Sequence, residues 1–491
     1  VALGQFRLSR HAQIEPLREP EFIAWNSYFP APTVMGQDGV DFLRKIEDVD
    51  LALPAYAETR SALLKKRLIF EGPTDPYEAQ YFDGAYQQLE RTEANAERLH
   101  SGEGNYGNLI FTNVACNLGC SYCIAAEGDV LRPKLKWAPG IADIKRAMAR
   151  RVLDQYLARR RKMGADFALL GFNGGEITLQ WPLIKSLLTF AREQYPELKL
   201  SCEMNSNLAG MTPQLASELA EFEISVETSI DGHREHHDVT RVYHKGGGSF
   251  DNVLNGIALY NAVSKKQIDG FQGTLDRFDV FSPPELFKMK ERGFIIARLA
   301  PSLLKMSEEE GVKRAHTFAD LFEQGQKEEL IVTDTYYEMA EHVARRSHDG
   351  FKFYCTGLGG LPQLILTYNI DSAEMSQLCT FVSPSAKRFE ELGGDIFSPV
   401  LWQSTRAYIV ARLEQLHSFC AGCDVAGVCR GGCIMQGLDL QNKPNPAGCG
   451  FQRTMWRRYV QYAGHAGEGE QDRGEGGRAL PVINSGSNIY T

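Results

Sequence analysis

Between residues 105 and 300, short apolar runs alternate with longer stretches whose apolar positions recur every three or four residues. Residues 108–114, 166–172, 198–205, 222–230, 270–275 and 293–299 read as strands. Residues 141–163, 182–194, 212–221, 250–263 and 284–292 read as the helices between them. Six β/α units in series predict a parallel sheet with helices outside. The first hundred residues have another rhythm. Residues 21–28 read as a strand, 36–47 and 54–66 as helices, the second starting on Pro54. Residues 68–70 form a short strand ended by Glu71-Gly-Pro73, and 77–99 a polar connecting helix. Residues 301–350 are polar with a helical pattern. Residues 465–491 are rich in Gly, Glu and Ser and read as a flexible tail, whose apolar piece at 479–484 would dock on the body.

Composition narrows the class without changing this picture. The chain has 491 residues, 43% of them hydrophobic and 23% charged, which is enough for two to four domains with real cores. A net charge of −9 argues against a general nucleic-acid binder, because phosphate contact needs clustered Lys and Arg. No apolar run reaches the length of a membrane-spanning helix, and the first residues lack the apolar core of a signal peptide. A cytoplasmic protein with no membrane and no nucleic-acid partner is expected. The 11 cysteines are bunched at close spacings, which points to metal rather than disulfides.

The densest cysteine cluster is Cys116-Asn-Leu-Gly-Cys120-Ser-Tyr-Cys123, directly after the strand at 108–114. Three thiolates leaving one strand end make an odd number for a closed site. Structural zinc takes four ligands, and an iron–sulfur cube normally takes four thiolates. The stretch therefore reads as a cube with one open iron, or as a zinc knuckle whose fourth ligand is distant. With Tyr122 before the third cysteine, it resembles the cluster motif of the radical S-adenosylmethionine (radical SAM) enzymes. That resemblance covers about residues 105–450 and implies a partial (β/α)6 barrel with chemistry at the C-terminal strand ends. After the second strand, Asn173-Gly-Gly-Glu-Ile177 stands where the family carries Gly-Gly-Glu-Pro. Gly174 and Gly175 would let the backbone approach a ligand, and Glu176 would take the SAM ammonium. Asn205-Ser-Asn207 stands where relatives carry Thr-Asn-Gly, which makes Asn205 a further candidate. Ser229 and Arg241, in a series resembling peptide-acting members, would help hold SAM. His233, His236, His237 and His244 lie in the same region and read as solvated or hydrogen-bonded side chains rather than as a metal cluster.

Cysteines return at 355, 379, 420, 423, 429, 433 and 449. Their spacing resembles the SPASM domain, which holds auxiliary iron–sulfur clusters in peptide-modifying radical SAM enzymes. The resemblance implies one cluster on Cys420, Cys423, Cys429 and Cys449, and a second on Cys355, Cys379 and Cys433. The second set is open, or closed by His348, Asp349 or substrate. Glu374 replaces the family's usual glycine before Cys379. Cys202 matches no motif and reads as a buried strand residue.

The fold class implied is α/β: a winged-helix-like domain at 1–100, a radical SAM partial barrel at 101–310, a SPASM domain at 311–464 and the tail at 465–491. The cofactors implied are three [4Fe–4S] clusters and S-adenosyl-L-methionine, with an external electron donor such as flavodoxin or ferredoxin. The expected activity is modification of a ribosomally made precursor peptide by a 5′-deoxyadenosyl radical, giving a cross-link, a thioether or another C–H functionalisation. Alternatives are oxidation of a protein residue of the sulfatase-maturase type, against which Thr380 counts, a cofactor-precursor enzyme, or a zinc-stabilised interaction protein without activity. The N-terminal unit would bind the peptide's leader by strand addition near 68–70 or 22–25, or else serve as a helical cap. On the first reading, a truncation at residue 75 leaves SAM cleavage intact.

Overall fold

The computed structural model describes residues 5–29, 32–101, 107–123, 141–303, 306–325, 327–333, 365–377, 386–429 and 445–466. The N-terminal unit runs β1 (Phe6–Leu8), β2 (Ala12–Arg18), β3 (Glu21–Asn26), β4 (Thr33–Gly36), α1 (Gln37–Arg44), α2 (Ala57–Lys65) and β5 (Ile69–Glu71). Strands β2, β3 and β4 make an antiparallel sheet with β3 in the middle, while β1 pairs with β5. Side chains alternate along a strand, and β3 uses both faces. Ala24 packs into a small core with Leu43, Ile46, Leu68 and Ile69. Ile23 and Trp25 point the other way, into the main core of the molecule.

Three strands of this unit escaped the sequence reading. β1 has three residues, β2 carries Pro16 among charged neighbours, and β4 is short and half-exposed. None presents an apolar run. The unit therefore holds two small sheets beside its two helices and is not purely helical. Of the strands expected to receive a peptide, the one at 22–25 is interior, as β3, whereas the one at 68–70, as β5, has a partner on one side only; the outer sides of β2 and β4 are likewise without a partner strand among the described residues.

Helix α3 (Tyr77–Ser101) follows and buries Tyr77, Tyr81, Phe82, Ala85 and Leu89 along one face. The α/β body then runs β6 (Asn108–Asn113), α4 (Ile141–Lys162), β7 (Phe167–Gly174), α5 (Trp181–Gln194), β8 (Lys199–Ser206), α6 (Pro213–Glu221) and β9 (Ser225–Thr228). It continues with α7 (Arg234–Thr240), α8 (Phe250–Val263), β10 (Gly270–Leu275), α9 (Pro283–Phe287), β11 (Ile296–Pro301), α10 (Glu308–Gly325) and β12 (Ile331–Thr333). Strands β6 to β9 pair in parallel in sequence order, as do β10 to β12. A parallel bridge between Ser229 and Gln272 joins the two sets, and the Ile230 N–H donates to the Gln272 carbonyl at 2.8 Å. The six expected strands thus follow one another around a partial barrel. Each edge gains one parallel strand: β12 beside β11, and β13 (Leu366–Asn369) beside β6.

β13 continues antiparallel into β14 (Glu374–Ser376) and β15 (Lys387–Arg388). Then come α11 (Pro399–Cys420), α12 (Ala426–Cys429) and α13 (Pro446–Ala466), the last packed along α10. The N-terminal unit docks on this C-terminal part. Trp25 meets Trp456 edge-to-face at 6.3 Å, and both rings are fully buried. A truncation at residue 75 would uncover Trp456 and Tyr81, so it would disturb the packing of the C-terminal part as well as remove the N-terminal unit. Cys355, Cys379, Cys433, His348, Asp349, Thr380 and the tail from residue 467 lie outside the described residues. Among the described residues no helix is long and apolar enough to cross a membrane.

Candidate active site

The cysteine loop starts where β6 ends. Asp371, just past β13, accepts from the Val114 and Ala115 N–H groups at 2.7 and 3.4 Å and pairs with Lys145 at 3.2 Å. This fixes the direction in which the chain leaves the sheet. The loop then lies against residues 240–244. The Gly119 N–H donates to the Val242 carbonyl at 2.8 Å, and the Ser121 N–H to the Thr240 carbonyl at 3.1 Å. A Cβ on Gly119 would come within 3.1 Å of the His244 ring. Leu118 N–H and Asn207 Nδ2 reach the Cys116 sulfur at 3.4 and 3.8 Å.

Cys116, Cys120 and Cys123 all line one cavity of about 340 Å3, a volume usual for small-molecule sites. Tyr122, Asn173, Gly174, Gly175, Asn205, Ser229 and Arg241 line it as well. The opposite wall comes from Gln272, Gly273, Thr274 and Arg298. The structure thus brings together every candidate cavity residue except Glu176. Burial pushes the Cys116 thiol up and the Cys120 thiol up to about 12, so their anions need a cationic partner. Two polar atoms of the wall, Asn173 Oδ1 and Arg298 Nε, are buried without a hydrogen-bond partner among the described residues. No three Cys, His, Asp or Glu side chains among the described residues are gathered as ligands of a single ion.

The sequence reading missed the residue that ties this site together. Asp231, fully buried, accepts from Tyr122 Oη at 2.6 Å, Thr240 Oγ1 at 2.9 Å, Arg241 Nε at 2.9 Å and the Thr274 N–H at 2.9 Å. Burial raises its carboxyl, but Arg241, His237 and these hydrogen bonds outweigh it and hold the group below the usual carboxylate range. Burial likewise opposes the charge on Arg241, and Asp231 more than restores it. Tyr122 therefore serves as a strut between the cysteine loop and the fourth strand's end. The signal lay in Ser229-Ile-Asp-Gly232, where an acid follows a strand, but its burial was not visible there. His233, His236 and His237 are buried and hydrogen-bonded, to Glu235, the Asp231 carbonyl and Ser249 among others. Cys202 is buried on β8, as expected.

Two roles read from the Asn-Gly-Gly-Glu segment change. Gly174 sits at φ +127°, and a Cβ there would lie 2.2 Å from the Asn113 carbonyl oxygen. A Cβ on Gly175 would lie 2.3 Å from that of Ala115. These glycines admit the backbone leading to Cys116, whatever ligand they also face. Glu176 is buried, and its Oε1 accepts from the Thr178 N–H at 3.1 Å, the Ser206 hydroxyl at 2.7 Å and the Thr178 hydroxyl. Its Oε2 accepts from the Asn207 N–H at 2.8 Å. The carboxylate is thus engaged by four protein donors and holds the 206–207 turn, whose Asn207 touches the cysteine loop. Glu176→Gln turns one acceptor into a donor facing donors, at a cost of about 1–3 kcal/mol. The expected outcome is an S-adenosylmethionine affinity about tenfold weaker or more, together with a lower melting temperature. A tenfold loss of affinity with unchanged melting would show that the carboxylate serves the ligand alone.

In the C-terminal part, the Cys423 N–H donates to the Cys420 carbonyl at 3.0 Å and the Cys429 N–H to Val425 at 2.9 Å, folding three cysteines into one turn. Burial works against the charge on Arg453, but Cys423, Asp424 and Cys449 together raise it.

Residues 110–274 match the sequence profile of the Radical SAM superfamily. The radical SAM cyclopropyl synthase TigE of Paramaledivibacter caminithermalis is 23% identical over 292 residues, 56% of this chain and 58% of that protein. The mycofactocin maturase MftC of Mycolicibacterium smegmatis is 25% identical over 356 residues, 68% of this chain and 79% of that protein. Among solved structures, native anSMEcpe with bound AdoMet superposes with a TM-score of 0.52 at 18% identity, covering 73% of this chain and 99% of that one, a likeness of fold.

Proposed function

We propose, for a chain whose residues 110–274 form a radical SAM domain, that it is a maturase acting on a ribosomally made precursor peptide. The observation that carries this reading is the single cavity ringed by Cys116, Cys120, Cys123 and the strand-end residues. Buried thiols that resist ionisation, with unpartnered polar atoms beside them, fit a cationic cluster and a small polar ligand. The three cysteines would hold a [4Fe–4S] cluster, and Gly174, Gly175, Asn205, Ser229 and Arg241 would line the place of S-adenosylmethionine. Together these groups supply a one-electron reduction and a radical able to take hydrogen from an unactivated carbon. The protein's own part is to orient and to seal. Asp231 holds Tyr122 and Arg241 against the cysteine loop, and Asp371 aims the strand end at the cavity.

Cys420, Cys423, Cys429 and Cys449 would hold an auxiliary cluster of SPASM type, and Cys355, Cys379 and Cys433 another. A flavodoxin or ferredoxin would deliver the electron. The names of TigE and MftC, a radical SAM cyclopropyl synthase and a mycofactocin maturase, support a maturase reading. A peptide substrate is supported by the open strand edges of the N-terminal unit, at β2, β4 and β5 among the described residues, to which an extended leader segment would add as a strand of a winged-helix-like recognition unit. The test is co-expression with short peptides encoded beside its gene, read by mass spectrometry. A peptide whose mass changes with the native chain, and not with Cys116→Ala, is expected. S-adenosylmethionine cleavage that alters none of them would remove the peptide and leave the radical chemistry.

A further inference from the structure

We infer that the N-terminal unit is a positioning element of the C-terminal cysteine site, with Trp25, Ser27, Tyr28 and Tyr81 setting the backbone of the turn that carries Cys420, Cys423 and Cys429. The inference rests on the reading of these cysteines, with Cys449, as metal ligands. The turn reverses at Gly422, which has φ +74°. Its internal hydrogen bonds leave four backbone groups of residues 422–427 pointing outward, and each meets the N-terminal unit or the helix after it. The Gly422 N–H donates to Tyr28 Oη at 2.8 Å. Trp25 Nε1 donates to the Asp424 carbonyl at 3.4 Å. Tyr81 Oη donates to the Ala426 carbonyl at 2.9 Å, and the Gly427 N–H to the Ser27 carbonyl at 2.8 Å.

The turn is exposed at Gly422 and half-buried at Asp424, and it is closed off from solvent from Val425 to Val428. Trp25, Tyr28 and Tyr81 are buried, as are Val425, Ala426 and Val428 opposite them. Without these partners, the Ala426 carbonyl and the Gly427 N–H would be buried and unsatisfied, which folded chains avoid. Tyr28 and Tyr81 also support each other, with ring centroids 5.1 Å apart. The side chain of Asp424, between two of the cysteines, is clasped from the same direction. Arg457 donates to it at 2.6 Å and to Glu15 of β2 at 2.7 Å, while Arg453 takes its other oxygen at 3.1 Å. The spacing of Cys420 and Cys423 is thus held by residues almost 400 positions earlier in the chain, before any metal contributes. A ligand set arranged in advance binds its metal more tightly and with a defined geometry.

The test compares three full-length proteins purified without oxygen: wild type, Cys420→Ala with Cys423→Ala, and Tyr28→Phe with Tyr81→Phe. The cysteine variant should lose about four irons per chain and one component of the electron paramagnetic resonance spectrum after reduction, which identifies the site's own signal. The phenylalanine variant keeps the rings and removes two hydroxyls. It should keep the iron of the barrel and a circular dichroism spectrum like that of wild type. The identified component should shift or fall below about half its intensity, and the amides of 420–429 should exchange hydrogen about tenfold faster or more. Tyr28 and Tyr81 hydroxyls that merely stabilised the fold would lower melting without moving that component. Wild-type iron, spectrum and exchange in the phenylalanine variant overturn the inference. If the cysteine variant loses no iron, the ligand reading has failed and the inference falls with it. The two failures are distinct because they appear in different proteins.

Discussion

Asp231→Asn should unfold or empty the site although it changes one atom. The side chain of Arg241 is 11% exposed and that of Asp231 is fully buried, and they pair at 2.9 Å. Neutralising the acid leaves a buried guanidinium without its counter-charge, which typically costs about 3–5 kcal/mol. It also turns one of the oxygens that receive Tyr122, Thr240 and Thr274 into a donor. Denaturant unfolding should show a loss of that size, and S-adenosylmethionine binding should fall below detection at ordinary concentrations. A change under about 1 kcal/mol with binding intact would mean that the network is not what holds the loop. The pH dependence has a definite sign. The folded-state carboxyl lies below its unfolded value of about 4, so its stabilisation is present above that pH and is lost as acid protonates the folded form.

Replacing Cys116, Cys120 and Cys123 together by Ala should remove about four irons and abolish S-adenosylmethionine cleavage. The fold should persist, because the loop is held by backbone contacts to residues 240–244 and by Tyr122, none of which uses a thiol. Cleavage should survive, by contrast, when only Cys420 and Cys423 are replaced, since they line no part of the cavity. Iron loss spread over both sites in the first variant would contradict this separation.

The barrel was legible because a parallel strand covered on both faces must be continuously apolar, as in Leu109, Ile110 and Phe111, all buried. The chemistry was legible because three thiols sit within eight residues of sequence. Pairings across long separations were not. Tyr122 finds Asp231 109 positions on, and Val114 finds Asp371 257 positions on. β9 is shorter than the apolar run at 222–230, because Phe222 and Ile224 belong to the turn that packs α6 onto the sheet. The glycines of 174–175 were read for a ligand, whereas their nearest neighbour is the backbone before Cys116. The docking of Trp25 on the cysteine turn had no sequence signal, since a Trp in an amphipathic strand announces burial and not its partner.

An iron–sulfur cluster on Cys116, Cys120 and Cys123 that serves S-adenosylmethionine is open to one direct measurement. Iron, acid-labile sulfide and zinc should be measured in the chain purified without oxygen, and methionine released after reduction with dithionite should be followed in the same sample. About twelve irons with matching sulfide are expected, four of them lost with the three barrel cysteines, and release of methionine that ends with that loss. One or two zinc ions per chain, no sulfide and no methionine would contradict it.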